Sequence, residues 1–322
     1  MTKIKNLDEL QQFISKNHSS SAKSFQRYAE EGAKLTPLKK LFGNYILDGA
    51  LVHFPARRGS GKSLLCMQIC LAISHRYEEF LGEKIEKHGT TLYLDFEMSE
   101  STTQRRAYLL KKSATIYIKE FADDLVIFNS RKSFIDEFNT INALLYQIKP
   151  ILVVVDNLRN ALRNVNTNSA ADMANFFSIL NALKEIHNFS IVIIDHFKKH
   201  TNGLKSDSDL QSGSGVKTDL SDADFLLRNS SQHKDWRLLK RIKSRLVEEN
   251  DSTKLIALNP ETLWFEVISE NVIESEHLGL SDIQDKEEQK DIALKLKDDG
   301  KSLEEIAQIL GKGKTTIHRW TK

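Results

Sequence analysis

Cysteine is nearly missing from this chain: Cys66 and Cys70 are the only two in 322 residues. That excludes a small disulfide-stapled scaffold and fits a reducing compartment. Four apart on an expected helix, the two read as small buried hydrophobes rather than metal ligands. An excess of one charge is also missing. Lysine and arginine number 46, aspartate and glutamate 44, for a formal net charge of +2. A polyanionic partner would therefore have to be met by a local patch, not by a global field. No apolar run reaches the roughly 18 residues that a membrane-spanning helix needs. The opening "MTKIKNLDEL" lacks the apolar stretch of a secretory leader. These absences lead us to expect a cytoplasmic protein with no membrane partner. There is no repeat of fixed period either, which argues against a solenoid.

What is present is an α/β pattern. Hydrophobic residues make up 40% and charged residues 28%, enough for a sizeable core. Residues 1–40 alternate short helical patterns with polar stretches and read as a helical N-terminal extension. From residue 41, apolar runs of strand length recur: "ALVHF", "TLYLDF", "DLVIF", "ILVVVD" and "SIVIID". Amphipathic stretches near 63–77, 99–112, 134–148 and 169–187 separate them. Continuous apolar strands alternating with helices predict a mainly parallel sheet covered on both faces. Beyond "DADFLLR", the runs "WRLLKRIKSRL", "STKLIAL" and "TLWFEVI" read as antiparallel strands closing one edge. This α/β core spans residues 41–268. Residues 269–286, polar and acidic, read as a linker, and 287–322 as a C-terminal three-helix domain.

Chemistry enters with "ARRGSGKS", residues 56–63. A strand precedes it and a helix follows, the context a phosphate-binding loop requires. Backbone N–H groups around Gly59, Ser60, Gly61, Lys62 and Ser63 would wrap phosphates at the positive end of the helix. Lys62 would reach the β- and γ-phosphates of ATP and the Ser63 hydroxyl would hold Mg²⁺. Ala56 stands where the pattern wants glycine, a departure that costs little if its φ is negative. Ala56, Arg57 and Arg58 are counted with the loop as nucleotide-binding candidates; the two arginines would touch phosphate or a neighbouring subunit, with solvent as the bland reading. Asp156, ending "ILVVVD", is the candidate second magnesium ligand; alone it would read as a residue that starts a turn. Asp95 and Glu97 end "TLYLDFE" and are expected on one side. Glu97, further out, is the candidate catalytic group, at the edge where open α/β sheets bind ligands. The bland reading is a solvated acidic strand end.

In their order, "ARRGSGKS", "LYLDFEMSE", "ILVVVDN" and "SIVIIDHFKK" resemble RecA-type P-loop ATPases, and in particular the plasmid RepA-like hexameric helicases. The resemblance covers residues 40–268. It implies a RecA-like fold, Glu97 as catalytic base, Arg106 as a site residue, and His196 as the sensor of the γ-phosphate. Many members carry two histidines there, whereas this chain has Asp195 and His196, so only the second carries over. Unaided, His196 reads equally as a packed strand-end histidine. Lys243 and Arg245, in "KRIKSR", match the Lys-x-Arg pair that ring helicases send to a neighbouring subunit's nucleotide. Strand alternation would put both on one face. A homo-oligomer, with a hexamer favoured, is therefore expected.

Two polar segments fall where such rings hold single-stranded DNA. One follows Asp156 and carries Arg159 and Arg163. The other follows His196 and carries Lys198, Lys199, Lys205 and Lys217, with Asp207 and Asp209 diluting its charge. The bland reading of both is a surface loop. In "KSLEEIAQILGKGKTTIHRWTK", Ser302 and Glu305 form a capping box. Ala307, Leu310, Ile317 and Trp320 are spaced to pack two helices. A helix–turn–helix is expected, similar to those of resolvases and phage regulators. It would offer Lys312, Lys314, Thr315, Thr316, His318 and Arg319 to duplex DNA. A three-helix cap for protein contacts is the rival. Together these readings predict an ATP- and Mg²⁺-dependent DNA motor of a plasmid or other mobile element. The alternatives are a nucleotide-switched DNA-binding regulator and a recombinase-like filament ATPase.

Overall fold

The computed structural model describes residues 7–17, 22–114, 124–163, 169–196, 215–248, 252–278, 280–298, 300–310 and 312–321. The chain divides into two compact units. One comprises Met1–Asn229 and His233–Val272, the other Ser230–Gln232 and Ile273–Lys322.

The first unit opens with helices α1 (Leu7–Asn17) and α2 (Phe25–Gly32). Two short strands, β1 (Lys40–Phe42) and β2 (Ile46–Leu47), pair antiparallel before β3 (Leu51–Ala56) enters the main sheet. The order continues through α3 (Lys62–Ser74), the small pair β4 (Glu79–Phe80) and β5 (Glu83–Lys84), β6 (Thr91–Asp95), α4 (Glu100–Ala114) and β7 (Leu125–Asn129). Next come α5 (Phe138–Ile148), β8 (Leu152–Asp156), α6 (Leu158–Ala161), α7 (Ala170–His187) and β9 (Ser190–His196). After α8 (Gly215–Leu220) lie β10 (Ala223–Asn229), β11 (Trp236–Ser244), β12 (Thr253–Leu258) and β13 (Phe265–Ser269).

Nine strands form one sheet in the order β13-β12-β11-β10-β3-β9-β8-β6-β7. The six from β10 to β7 run parallel and the other three antiparallel, as the sequence predicts. Side chains alternate across the central strands. Val52, Phe54 and Val154 face the layer of α3 and α4, while Leu51, Val153 and Val155 face α5, α6 and α7. Because both faces are covered, these strands read as unbroken apolar runs. Helix α3 is apolar on nearly every side and buries all its residues but Ser63, Cys66 and Cys70 among them, as expected. Burial pushes the Cys70 thiol up to about 12, so both behave as small hydrophobes.

Helix α1, in the segment expected to be a helical extension, packs on the core: Leu10 is fully buried against α7 residues, and Phe13 meets Phe138 edge-on at 5.5 Å. Residues 269–286, read as a linker for their polarity, carry helix α9 (Glu274–Leu278) and the start of α10 (Leu280–Asp298). Polarity alone does not mark a loop where charged residues can sit on a helix surface.

The second unit adds α11 (Leu303–Leu310) and α12 (Lys314–Trp320). Its core is Ala293, Ile306, Ile317 and Trp320, with Leu296, Leu303, Ala307 and Leu310 packed against them. The capping box is reciprocal: Ser302 N–H donates to Glu305 Oε2 at 2.8 Å, and Glu305 N–H donates to Ser302 Oγ at 3.3 Å. Lys312, Lys314, Thr315, His318 and Arg319 are exposed and Thr316 is half-buried. Lys314 is engaged by the Glu304 carboxylate. Among the described residues, no helix is long and apolar enough to cross a membrane.

Candidate active site

The carboxyl ends of β3, β6, β8 and β9 meet at one edge of the sheet, and a cleft of about 360 Å³ opens there. Strand β3 delivers the phosphate-loop residues to its floor. Ala56 is still strand, fully buried and paired with His196 and Leu227. Its φ is not positive, so a side chain fits where the pattern has glycine; Ala56 does not line the cleft. Gly59 and Gly61 do line it, with φ of +76° and +94°. At Gly61 a Cβ would also come within 2.8 Å of the Phe265 ring. Gly61 is the N-cap of α3 and gives no side-chain cap. The first N–H groups of the helix are thus left for an anion. Arg58 joins the lining; Arg57 is exposed and does not. The Ser60 carbonyl accepts from buried Arg237 Nε at 2.8 Å, which ties the loop to β11.

Asp156 ends β8 and is 1% exposed. Its Oδ2 accepts from the Tyr93 hydroxyl at 2.7 Å, while its Oδ1 is buried with no hydrogen-bond partner of good geometry. Burial raises its pKa, against the pull of Tyr93 and the Ser63 hydroxyl beside it. A buried carboxylate oxygen left without a donor next to a serine hydroxyl suits a hard cation. Among the described residues, no group of three or more His, Cys, Asp or Glu side chains could hold a metal. Mg²⁺ takes one or two protein ligands beside phosphate and water; Asp156 and Ser63 are the residues that would hold it.

Glu97 lies beyond the end of β6, past the reach of strand alternation. Asp95 does not join it. Its Oδ1 accepts from the N–H groups of Glu97 and Met98, and its Oδ2 accepts from Thr103 Oγ1 at 2.6 Å. Asp95 is therefore the brace of the turn that presents Glu97. Arg131 and Arg163 hold the same turn from outside, donating to Glu97 O at 2.7 Å and Phe96 O at 2.8 Å. The Glu97 carboxylate accepts from Asn157 Nδ2 and lies 3.6 Å from His196 Nε2. On the other side of the ring, Lys62 Nζ sits 3.0 Å from His196 Nδ1. Asn157 Nδ2 lies 3.0 Å from His196 Nε2. An ammonium and an amide NH₂ both only donate, and a neutral imidazole accepts at one nitrogen, so the ring accepts from one of these two neighbours at a time. His196 holds the Glu97 carboxyl down at about 2 against the effect of burial, with help from Lys62 and Asn157. Burial lowers the Lys62 pKa, opposed by Asp156 and Glu97.

The sequence brings Lys62, Ser63, Glu97, Arg106 and His196 to this one cleft. It misses Asn157, which is buried, links Glu97 to His196, and caps α6 by accepting from Asn160 N–H at 3.1 Å. The only local signal was its place directly after Asp156. Lys243 and Arg245 lie elsewhere. Lys243 is level with His53, and Arg245 N–H donates to Asp222 O, both toward the amino ends of the parallel strands. Strand β11 stops at Ser244, so alternation does not extend to Arg245. Even so, both side chains reach the same stretch, bonding Ser221 O and Asp219 O.

Two candidate DNA contacts have partners within the chain: Arg163 holds the Glu97 turn, and Lys217 Nζ pairs with Asp195 Oδ2 at 2.5 Å. Each charge found a carboxylate or carbonyl brought near by topology, which local composition does not reveal. Arg159, on α6, is exposed. Lys198, Lys199, Lys205, Asp207 and Asp209 lie outside the described residues.

No curated protein matches the chain. Residues 18–202, however, match a family described as an AAA domain. That span runs from before β1 through the phosphate loop, Glu97 and Asp156 to His196, and covers more than half of the sequence. With a Gly-Lys-Ser loop, a buried aspartate and a carboxylate gathered at one sheet edge, the chain belongs to the AAA-domain family of P-loop ATPases.

Proposed function

We propose that the protein is a ring-forming DNA motor, a RepA-like helicase serving replication or transfer of a plasmid or other mobile element. The observation that carries the reading is the Glu97 carboxylate, set beside His196 and Lys62 at the mouth of the phosphate cleft. In this reading the N–H groups of the first turn of α3 and Lys62 bind the phosphates of ATP. Ser63 and Asp156 hold Mg²⁺, which when bound neutralises phosphate charge. Glu97 orients the attacking water and takes its proton. A carboxyl held at about 2 is a weak base. Full activity therefore requires loosening its contacts with His196 and Asn157. Lys243 and Arg245, remote from their own cleft, suit action on a neighbour's nucleotide. The exposed Lys312, His318 and Arg319 of the C-terminal unit suit a helix–turn–helix that meets duplex DNA.

One observation favours a second reading, a nucleotide-switched DNA-binding regulator: Glu97 is already engaged by Asn157 and His196, an arrangement that also suits slow turnover. ATP hydrolysis and fork unwinding, with and without single-stranded DNA, separate the two. The motor predicts DNA-stimulated turnover and unwinding, both lost in Lys62→Ala and Glu97→Gln. Slow turnover indifferent to DNA, without unwinding, would favour the switch. Native mass with an ATP analogue tests assembly, and a strict monomer would remove the trans role of Arg245.

A further inference from the structure

Behind the cleft, on the face of the sheet opposite α3, three ionisable side chains stand in a row across adjacent strands. They are Asp224 on β10, His53 on β3 and Asp195 on β9, exposed by only 0%, 1% and 6%. His53 Nε2 lies 3.4 Å from Asp195 Oδ2, and its Nδ1 lies 3.9 Å from Asp224 Oδ1. Lys217, from α8, closes the end of the row on Asp195 Oδ2. The Ser221 hydroxyl donates to Asp224 Oδ1, and Lys243 faces Asp224 in register on β11. A buried ionic row of this kind is weak ground for stability, because desolvation offsets most of the attraction. Its consequence lies in what it orients.

The other oxygen of Asp195 supplies the answer: Oδ1 accepts from the backbone N–H of His196 at 2.7 Å. His196 is the last residue of β9. Its ring lies between Lys62 Nζ and the Glu97 carboxylate, so a small rotation of its backbone would change both contacts. Burial pushes Asp195 up, but His53 and Lys217 together keep it well below the usual carboxylate range, so it stays an acceptor with two fixed oxygens.

We infer that Asp195 is a positioning residue for ATP hydrolysis: gripped by His53 and Lys217, it fixes the His196 backbone and so sets the imidazole between Lys62 and Glu97. The inference rests on reading this cleft as hydrolytic. The row also extends toward the amino edge of the sheet, where Lys243 is paired in register with Asp224, but the 3.9 Å step from His53 Nδ1 to Asp224 Oδ1 is no hydrogen bond. Proximity is not coupling, so the test measures coupling.

Asp195→Asn should lower kcat about tenfold or more while the KM for ATP and the affinity for a fluorescent ATP analogue stay within about twofold. His53→Gln and Lys217→Gln should act in the same direction, and Lys217→Arg should recover near-normal turnover. The double variant Asp195→Asn/His196→Gln should be no slower than His196→Gln alone, because Asp195 acts only through His196. The His196 ring nitrogen resonances should shift in Asp195→Asn, a readout independent of turnover.

Unchanged ring resonances, or losses that add in the double variant, would overturn the positioning role. If Asp195→Asn does not fold, His53→Gln and Lys217→Gln carry the same prediction, ring resonances included. A wild-type chain without ATP turnover would remove the hydrolytic reading of the cleft; the ring resonances would still decide whether Asp195 positions His196.

Discussion

The two units of this chain handle charge in opposite ways. The larger one buries Asp95, Asp156, Asp195, Asp224, Lys62, Arg237, Arg241 and Lys254. The smaller one, among its described residues, buries no aspartate, glutamate, lysine or arginine and closes on four apolar side chains. The ion pair there of Lys314 with Glu304 is about 60% exposed on each side. Buried charges keep fixed partners, because leaving one unpaired costs several kcal/mol. Exposed charges are screened and interchangeable. Function in the first unit should therefore hang on single atoms. In the second, folding hangs on a few apolar contacts, and any nucleic-acid affinity is shared among cations.

The sharpest break in this contrast is Glu97→Gln, which keeps the shape and removes the charge. Turnover should fall about 10²–10³-fold while an ATP analogue still binds; single-turnover kinetics beside equilibrium titration would check both. Unchanged turnover would mean that the buried edge is structural only.

The counterpart in the small unit is Ile306→Ala. Ile306 is fully buried in a four-residue core, so the loss should be about 2–5 kcal/mol, enough to melt helices α10–α12. Hydrogen exchange should show this melting confined to residues beyond 273, with the larger unit still protected. A smaller effect is expected from Lys312→Ala and Arg319→Ala. Each should reduce the salt dependence of duplex binding by about 0.9 in the slope of log K against log salt. A loss confined to one DNA sequence would instead point to base contacts.

The smallest effect follows from the Glu97 carboxyl, held at about 2 against an ordinary 4.5. A lowered carboxyl contributes stability that is fully present above the unfolded value and is lost as pH falls through the folded one. The stability difference between wild type and Glu97→Gln should be flat above about pH 5 and shrink toward about pH 2. A difference that grew on acidification would contradict the pairing with His196.

Much of this was legible in the sequence because it is local. Five apolar strand runs, a Gly-Lys-Ser turn and the carboxylates that end two strands each announce themselves within ten residues. The Ser302–Glu305 box and the packing of Ile317 and Trp320 are equally short-range. What escaped depends on residues far apart in the chain. Asn157 meets Glu97 across 60 positions, and Arg237 meets Ser60 across 177. Neither pattern nor propensity contains those meetings; strand order makes them. Lys217 and Arg163 read as free cations for the same reason, since the carboxylate and carbonyl that hold them come from other strands.

Strand β11 carries one last consequence. Arg237, near one end, grips the phosphate loop by the Ser60 carbonyl, and Lys243, near the other, bonds the Ser221 carbonyl at the opposite edge of the sheet. Six residue steps separate them, about 20 Å at about 3.4 Å per step. The segment is paired to β10 along its length, with one irregularity between Arg241 and Lys243, and to β12 only as far as Lys240. The same strand that bonds the phosphate loop thus ends in a stretch held from one side alone, so its Lys243 end has more freedom than its Arg237 end.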